Sequence, residues 1–312
     1  GHHFASIAGA GPIVGPITAA SMFGWLPAYL WCLLGSAFLG GPHDMGALVS
    51  SMRHNGKSVG EVVDHWVGKR GKFFFLVFTI LTLILVVAVF LQLSANTFAA
   101  DTAVAFSSVL YIFMAVIFGV LVYKYNTPLW LMTLVMVPVV IGACWYGNYA
   151  TWVAGVFTYS MPTWRWILAV YILLASVLPV WLLLQPRDYL ASFFLYFAVI
   201  VGAIGMVFGG KFEVQLPAFK GFVAGDQYMW PMLFVIVACG AISGFHSLVG
   251  SGTTSKQLRR ETDSTLVGFG SMLLEGVVAV IAIGTIMISG KILEGGPVVT
   301  YANGFGQFAG LL

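Results

Sequence analysis

Between Lys72 and Asp101 the chain carries no charged side chain. A run of that length exceeds the roughly 20 apolar residues a helix needs to cross a bilayer, and a soluble core of ordinary size has no place for it. Similar runs recur along the chain. Separated by charged or Gly/Pro punctuation, they fall near residues 4–23, 26–52, 73–99, 102–123, 128–145, 166–184, 189–208, 230–248 and 266–288, and read as nine spans. Charged residues make up only 8% of the 312, where about 25% is usual for a soluble domain. That excludes a soluble globular fold, and the same apolar excess excludes disorder. Three cysteines are too few for a disulfide scaffold, and a net charge of +3 is too small to argue for a nucleic-acid partner. The expected class is an all-α polytopic membrane protein with about nine transmembrane helices. It forms a single transmembrane domain over residues 1–312, with the lipid bilayer as its partner.

The basic residues set an expected orientation. Arg53, Lys57, Lys69, Arg70, Lys72, Lys124, Arg187, Lys256, Arg259 and Arg260 fall on one side of the nine-span arrangement, and Arg165, Lys211, Lys220 and Lys291 on the other. Ten against four puts the first group in the cytoplasm. Residues 53–72 then form a cytoplasmic loop, and residues 209–229 an extracytoplasmic one. Within the first loop, residues 58–67 alternate apolar and charged side chains at helical spacing, which fits either a short amphipathic helix or an ordered polar loop. Aromatic pairs at span ends, such as Trp25 with Tyr29 and Trp145 with Tyr146, read as headgroup-level anchors.

Function in such a protein is sought where backbone or charge breaks the rules of the membrane. The segment from Gly1 to Pro16 is apolar enough to span but carries Gly9, Gly11, Pro12, Gly15 and Pro16. It fits a discontinuous helix whose free N–H and C=O groups bind a carboxylate or cation, or else a kinked helix packed closely through glycine. A second break is expected at residues 40–46, where His43 and Asp44 sit together. Imidazole beside carboxylate suits a proton relay or a divalent metal, and His2, His3, His43 and Asp44 are the metal candidates. A third segment, residues 238–254, is Gly-rich and holds Ser243, Phe245 and His246; it reads either as a weak repeat of the first segment or as a tight helix-packing face. Glu275 stands alone in an apolar span, as a coupling carboxylate or a hydrogen-bond hub. Gln92 and Asn96 share a helical face, and Arg187–Asp188 forms a boundary ion pair. Cys32, Cys144 and Cys239 share no metal-ligand spacing and read as small buried hydrophobes. Phosphate-cradling, zinc-protease and nucleophile-elbow motifs are missing, so an enzyme is not expected.

Four strings carry a specific likeness: GHHFASIAGAGPIVGP, GGPHDMGALVSSMRHNGKSVGEVV, LPVWLLLQPRDYL and ACGAISGFHSLVGSGTTSKQLRRETD. In this order they resemble the carbon starvation protein A (CstA) family of membrane transporters. The resemblance implies a prokaryotic inner-membrane protein that takes up peptides or pyruvate during nutrient limitation, with proton symport for pyruvate-transporting relatives. It also implies kinship with the amino acid/polyamine/organocation superfamily, hence a LeuT/APC-like inverted repeat with discontinuous helices. The chain then corresponds to an internal portion of a longer protein.

The resulting expectation is a secondary active, proton-coupled transporter importing a small organic substrate, a peptide or a carboxylate such as pyruvate. Gly9, Ala10, Gly11, Pro12, Gly15, Ser243, Phe245 and His246 are expected at the substrate, and Asp44, His43 and Glu275 at the coupling ion. No cofactor is required, a bound metal ion being an option. A channel or a metal-binding membrane sensor or enzyme are the alternatives.

Overall fold

The computed structural model describes residues 1–208 and 212–311; Lys211, counted above among the extracytoplasmic bases, lies outside them. The chain is helical almost throughout. In order come α1 (His2–Ile7), α2 (Gly11–Phe23), α3 (Trp25–Gly35), α4 (Gly41–Arg53), α5 (Val59–Val67), α6 (Lys69–Ala100), α7 (Thr102–Gly119), α8 (Leu129–Tyr149), α9 (Thr151–Phe157), α10 (Met161–Val177), α11 (Leu184–Phe208), α12 (Met229–Ile236), α13 (Ala238–Ala241), α14 (Gly244–Gly252), α15 (Gly270–Ser289) and α16 (Pro297–Ala309). Two-residue strands β1 (Val223–Ala224) and β2 (Gln227–Tyr228) pair antiparallel before α12.

Local sequence explains the helix starts. Proline occupies the first turn of α2, α10 and α16, where its missing N–H costs no helical bond. Asp101 caps α7, its Oδ1 accepting from the N–H groups of Ala103 at 2.8 Å and Val104 at 3.3 Å.

By length and apolarity, five helical segments among the described residues suffice to cross a membrane: Lys69–Ala100, Thr102–Lys124, Leu129–Tyr149, Leu184–Phe208 and Thr265–Ser289. The pair Thr151–Phe157 and Met161–Val177, bent by 82°, makes a sixth if counted as one span. The three other expected spans are interrupted or modified. Residues 4–23 divide into α1 and α2, and residues 230–248 into α12, α13 and the start of α14. The expected break at residues 40–46 is instead a widening. The backbone stays helical from α3 into α4 through a π turn at Ser36–Gly40, which loosens the helix ahead of Pro42 and accommodates the ring there.

The chain divides into two compact units. The first comprises Gly1, His3–Phe73 and Phe194–Leu312. Its core gathers Ile17, Phe23, Ala28, Cys32, Val237, Ala241, Ala279 and Ile283, drawn from α2, α3, α13 and α15 and the α12–α13 junction. Over half of the most apolar window of Thr265–Ser289 is buried, which makes α15 the central helix of this unit. Small residues permit the close approach. A Cβ on Gly15 would run into the carbonyl of Ile236, one on Gly35 into Ala241, and one on Gly276 into Ser36. Gly24 turns between α2 and α3 with φ +97, and Leu26, two residues on, donates to Ala218 O at 3.0 Å, docking the 216–220 loop.

The second unit comprises His2 and Phe74–Phe193. Phe118, Met132, Met136 and Leu190 form one cluster, and Ala95, Ala105 and Trp164 another. The outer face of α6 is apolar and open, with Phe74 70% and Leu85 65% exposed. In water such a face drives aggregation, whereas lipid covers it.

Candidate functional site

The site is built where three interrupted elements of the first unit meet. The chain leaves helical geometry at Ala8 (φ −76, ψ 72), passes through Gly9 and Ala10, and re-enters a helix at Gly11. The discontinuous helix therefore forms in the first segment, and its break lies at 8–10 rather than at a proline. Pro12 sits in the first turn of α2, and Pro16 inside that helix removes the N–H that would have bonded Pro12 O. The third segment breaks likewise. Ile242 (φ −158, ψ 122) and Ser243 (φ −122, ψ 121) are extended between α13 and α14. The two broken segments touch: a Cβ on Gly11 would collide with Cys239 Sγ, and one on Gly240 would lie 3.2 Å from Pro16 Cγ. Gly11 thus makes room for the Cys239 side chain, and Gly240 for Pro16, so that α2 and α13 pack closely.

Beside this contact lies a buried polar group. Asp44, 1% exposed on the first turn of α4, holds two imidazoles. His43 Nδ1 is 2.8 Å from Oδ1, and His246 Nδ1 is 2.7 Å from Oδ2. On the other side of the same ring, His246 Nε2 is 3.1 Å from Oε2 of Glu275 on α15. That approach is not aligned as a hydrogen bond, and both atoms stay without a hydrogen-bond partner among the described residues. Glu275 Oε1 is in turn 3.9 Å from Cys239 Sγ, which is 3.8 Å from Ser243 Oγ. Asp44, His246 and Glu275, far apart in sequence, are thereby one chain of contacts. His43, 31% exposed at its side chain, is the member that reaches outward.

Other expected residues lie elsewhere. His3 Nδ1 is 2.9 Å from Thr254 Oγ1, and His2 Nδ1 is 3.7 Å from Asp188 Oδ2. Phe245 is 38% exposed, whereas Ser243 is buried. Among the described residues, the metal-type ligand atoms that draw within 4.8 Å of one another as a trio belong to Cys239, His246 and Glu275. Cys239 is the residue sequence reasoning missed. Its signal was the four-residue step to Ser243 inside a Gly-rich break, which carries its thiol into a polar interior. An apolar cavity of about 300 Å³ also lies in this unit, lined by Trp25, Tyr29, Met206, Ile283, Met287 and Phe308 among others. None of its lining residues belongs to the polar chain, so volume and chemistry separate here.

The loop elements are also resolved. α5 forms a short helix within the 53–72 stretch, and Lys72 Nζ bridges Glu61 Oε1 at 2.5 Å and Asp64 Oδ2 at 3.3 Å. Gln92 Nε2 donates to Asn96 Oδ1 at 2.9 Å, and Arg187 Nη2 to Asp188 Oδ1 at 3.0 Å.

The family described as carbon starvation protein CstA matches residues 1–295. The peptide transporter CstA of Campylobacter jejuni is 37% identical over 300 residues, covering 91% of this chain and 41% of that protein. The peptide transporter CstA of Escherichia coli K12 is 38% identical with the same coverage. The pyruvate/proton symporter BtsT of E. coli K12 is 35% identical over 307 residues, covering 95% of this chain and 42% of that protein. The chain thus spans about two fifths of the length of these relatives. No solved structure matches.

Proposed function

Because the chain belongs to the carbon starvation protein CstA family, we propose that its protein is a secondary active transporter of small organic acids or short peptides, driven by a proton gradient. The observation that carries this reading is the contact of two broken helices, α1–α2 and α13–α14, beside the enclosed Asp44–His246–Glu275 chain. Broken helices expose backbone N–H and C=O groups inside the membrane, where a substrate carboxylate needs donors. Ionisable groups enclosed in an apolar span are costly, and their usual use is ion or proton traffic. A pyruvate/proton symporter and peptide transporters among the relatives are consistent with that use.

In this reading Gly9, Ala10, Gly11, Pro12 and Gly15 form one half of the substrate site, and Ser243, Phe245 and His246 the other. Asp44, His43 and Glu275 form the coupling set, with His43 as its outward member. The five long apolar helices, α10 and the three interrupted segments make nine spans, arranged as in LeuT/APC-like carriers. The loop 53–72 faces the cytoplasm of a prokaryotic cell, and the loop 209–229 the opposite side of the inner membrane.

Uptake into proteoliposomes of the full-length protein tests the proposal, with pyruvate and a dipeptide offered separately. Accumulation of one of them that rises when an inward proton gradient is imposed is the expected result. Uptake of neither, or uptake indifferent to the gradient, overturns it.

A further inference from the structure

The contact between His246 and Glu275 is incomplete as it stands. Ionised Asp44 can only accept hydrogen bonds, so the 2.7 Å contact puts the ring proton on His246 Nδ1. Nε2, on the far side of the ring, then faces the Glu275 carboxylate oxygen at 3.1 Å. A cation seated between those two atoms would engage both of them. A proton there would make a hydrogen bond, but the two atoms are not aligned for one, and both are unpartnered although their residues are 1% and 0% exposed. The third side of the gap is Cys239 Sγ, 3.9 Å from the other Glu275 oxygen.

We infer that Cys239, His246 and Glu275 bind a divalent transition-metal ion of the zinc type, with Asp44 orienting the His246 ring. Zinc bonds of about 2.0–2.3 Å in tetrahedral geometry separate the ligand atoms by roughly 3.3–3.8 Å. His246 Nε2 is 3.1 Å from Glu275 Oε2, Cys239 Sγ is 3.9 Å from Glu275 Oε1, and one ligand atom of each residue lies within 4.8 Å of the others, so side-chain shifts of about 1 Å bring the three into that range. One thiolate, one imidazole and one carboxylate make a mixed donor set that suits zinc better than the hard cations calcium or magnesium. Asp44 completes the pattern of a carboxylate that receives the second ring N–H of a metal-bound histidine. Three protein ligands leave one coordination position open. The break residue Ser243, with Oγ 3.8 Å from Sγ, borders the cluster.

The inference goes beyond the transport reading, since metal occupancy stands or falls whether or not a proton gradient drives uptake. His43 lies outside the ligand set.

The test uses purified full-length protein and no transport measurement. Elemental analysis is expected to find about one zinc per chain. After chelation, titration with Co²⁺ is expected to produce a thiolate-to-cobalt charge-transfer absorption. Cys239→Ser removes that band and Cys32→Ser keeps it, because Cys32 lies outside the cluster. Asp44→Asn keeps the band but weakens metal affinity about 10- to 100-fold, as loss of an outer-shell carboxylate does. Protein that neither retains zinc nor changes its spectrum with Co²⁺ overturns the inference, and so does a Cys239→Ser spectrum identical to the parent's.

Discussion

Asp44 and His246 are 202 positions apart in sequence, yet Nδ1 of the imidazole lies 2.7 Å from the aspartate oxygen with both side chains enclosed. The pair ties α4 to the start of α14, so anything that moves the broken helix moves the carboxylate's partner.

Removing that carboxylate outright should be costly. Asp44→Ala leaves both His43 and His246 without their acceptor, and a buried donor stranded in this way costs about 1–3 kcal/mol. Asp44→Asn keeps a hydrogen-bond acceptor and should unfold at a temperature closer to the parent's while losing gradient-driven uptake. Thermal unfolding in detergent and proteoliposome uptake check the two halves. An Asn variant that couples normally would remove Asp44 from the coupling set.

The glycine contacts predict opposite outcomes for one kind of substitution. Gly15→Ala drives a methyl group into the backbone carbonyl of Ile236, which cannot swing aside, and should destabilise by about 1–3 kcal/mol. Gly142→Ala, on α8 with nothing within 4 Å of the added carbon, should be neutral or stabilise by up to about 1 kcal/mol. Melting temperatures of the two variants measured side by side decide the matter.

Ser51 makes a compact knot. Its hydroxyl lies 2.7 Å from Lys57 O, 2.9 Å from Ser251 O and 2.9 Å from Ser255 Oγ, and the residue is fully buried. With one proton it serves one carbonyl at a time, while Ser255 can supply Ser251 O at 2.9 Å. Ser51→Ala should cost about 1–3 kcal/mol and loosen residues 51–59 first. Faster amide exchange in that loop, with α15 unchanged, is the expected pattern.

Arg53 and Glu261 provide a pH-sensitive contact at an exposed edge. Two-pronged hydrogen bonding from Arg53, with Nη2 2.6 Å from Oε1, holds the Glu261 carboxyl below the usual carboxylate range. A carboxyl depressed in the folded state stabilises at pH values above its unfolded pKa of about 4.3, and that stabilisation is lost as pH falls through the depressed folded value. Amide exchange around residues 257–264 should therefore quicken below about pH 4 and stay level, after correction for intrinsic rates, from pH 5 to 7. In Glu261→Gln the acid-side acceleration should vanish.

Much of the candidate site was legible because membrane rules are strict. Asp44 and Glu275 stood out as acids in apolar stretches, and Gly9 to Pro16 stood out as backbone that no plain helix uses. Both readings meet at the polar chain beside α2 and α13. The break at residues 40–46 was misplaced because glycine and proline signal a loss of α-helical bonding without saying how the chain recovers it, and a π turn recovers it here. Cys239 was missed because a lone thiol is as common in apolar interiors as alanine, and only the fold brings it to Glu275. α16 was not foreseen, since Asn303, Gly304, Gly306 and Gln307 dilute its apolar face.

The great length of α6 changes how its one polar pair is understood. At 1.5 Å per residue its 32 residues extend about 48 Å, well past the roughly 30 Å of hydrocarbon in a bilayer. Tilting alone does not absorb the excess, because tilts rarely exceed about 40°. With Lys69, Arg70 and Lys72 anchored among the headgroups at one surface, the rise from Phe73 to Gln92 is about 28 Å. Gln92 and Asn96 therefore emerge near the opposite surface, within reach of water, and the helix acts as a ruler for the thickness of the membrane it inhabits.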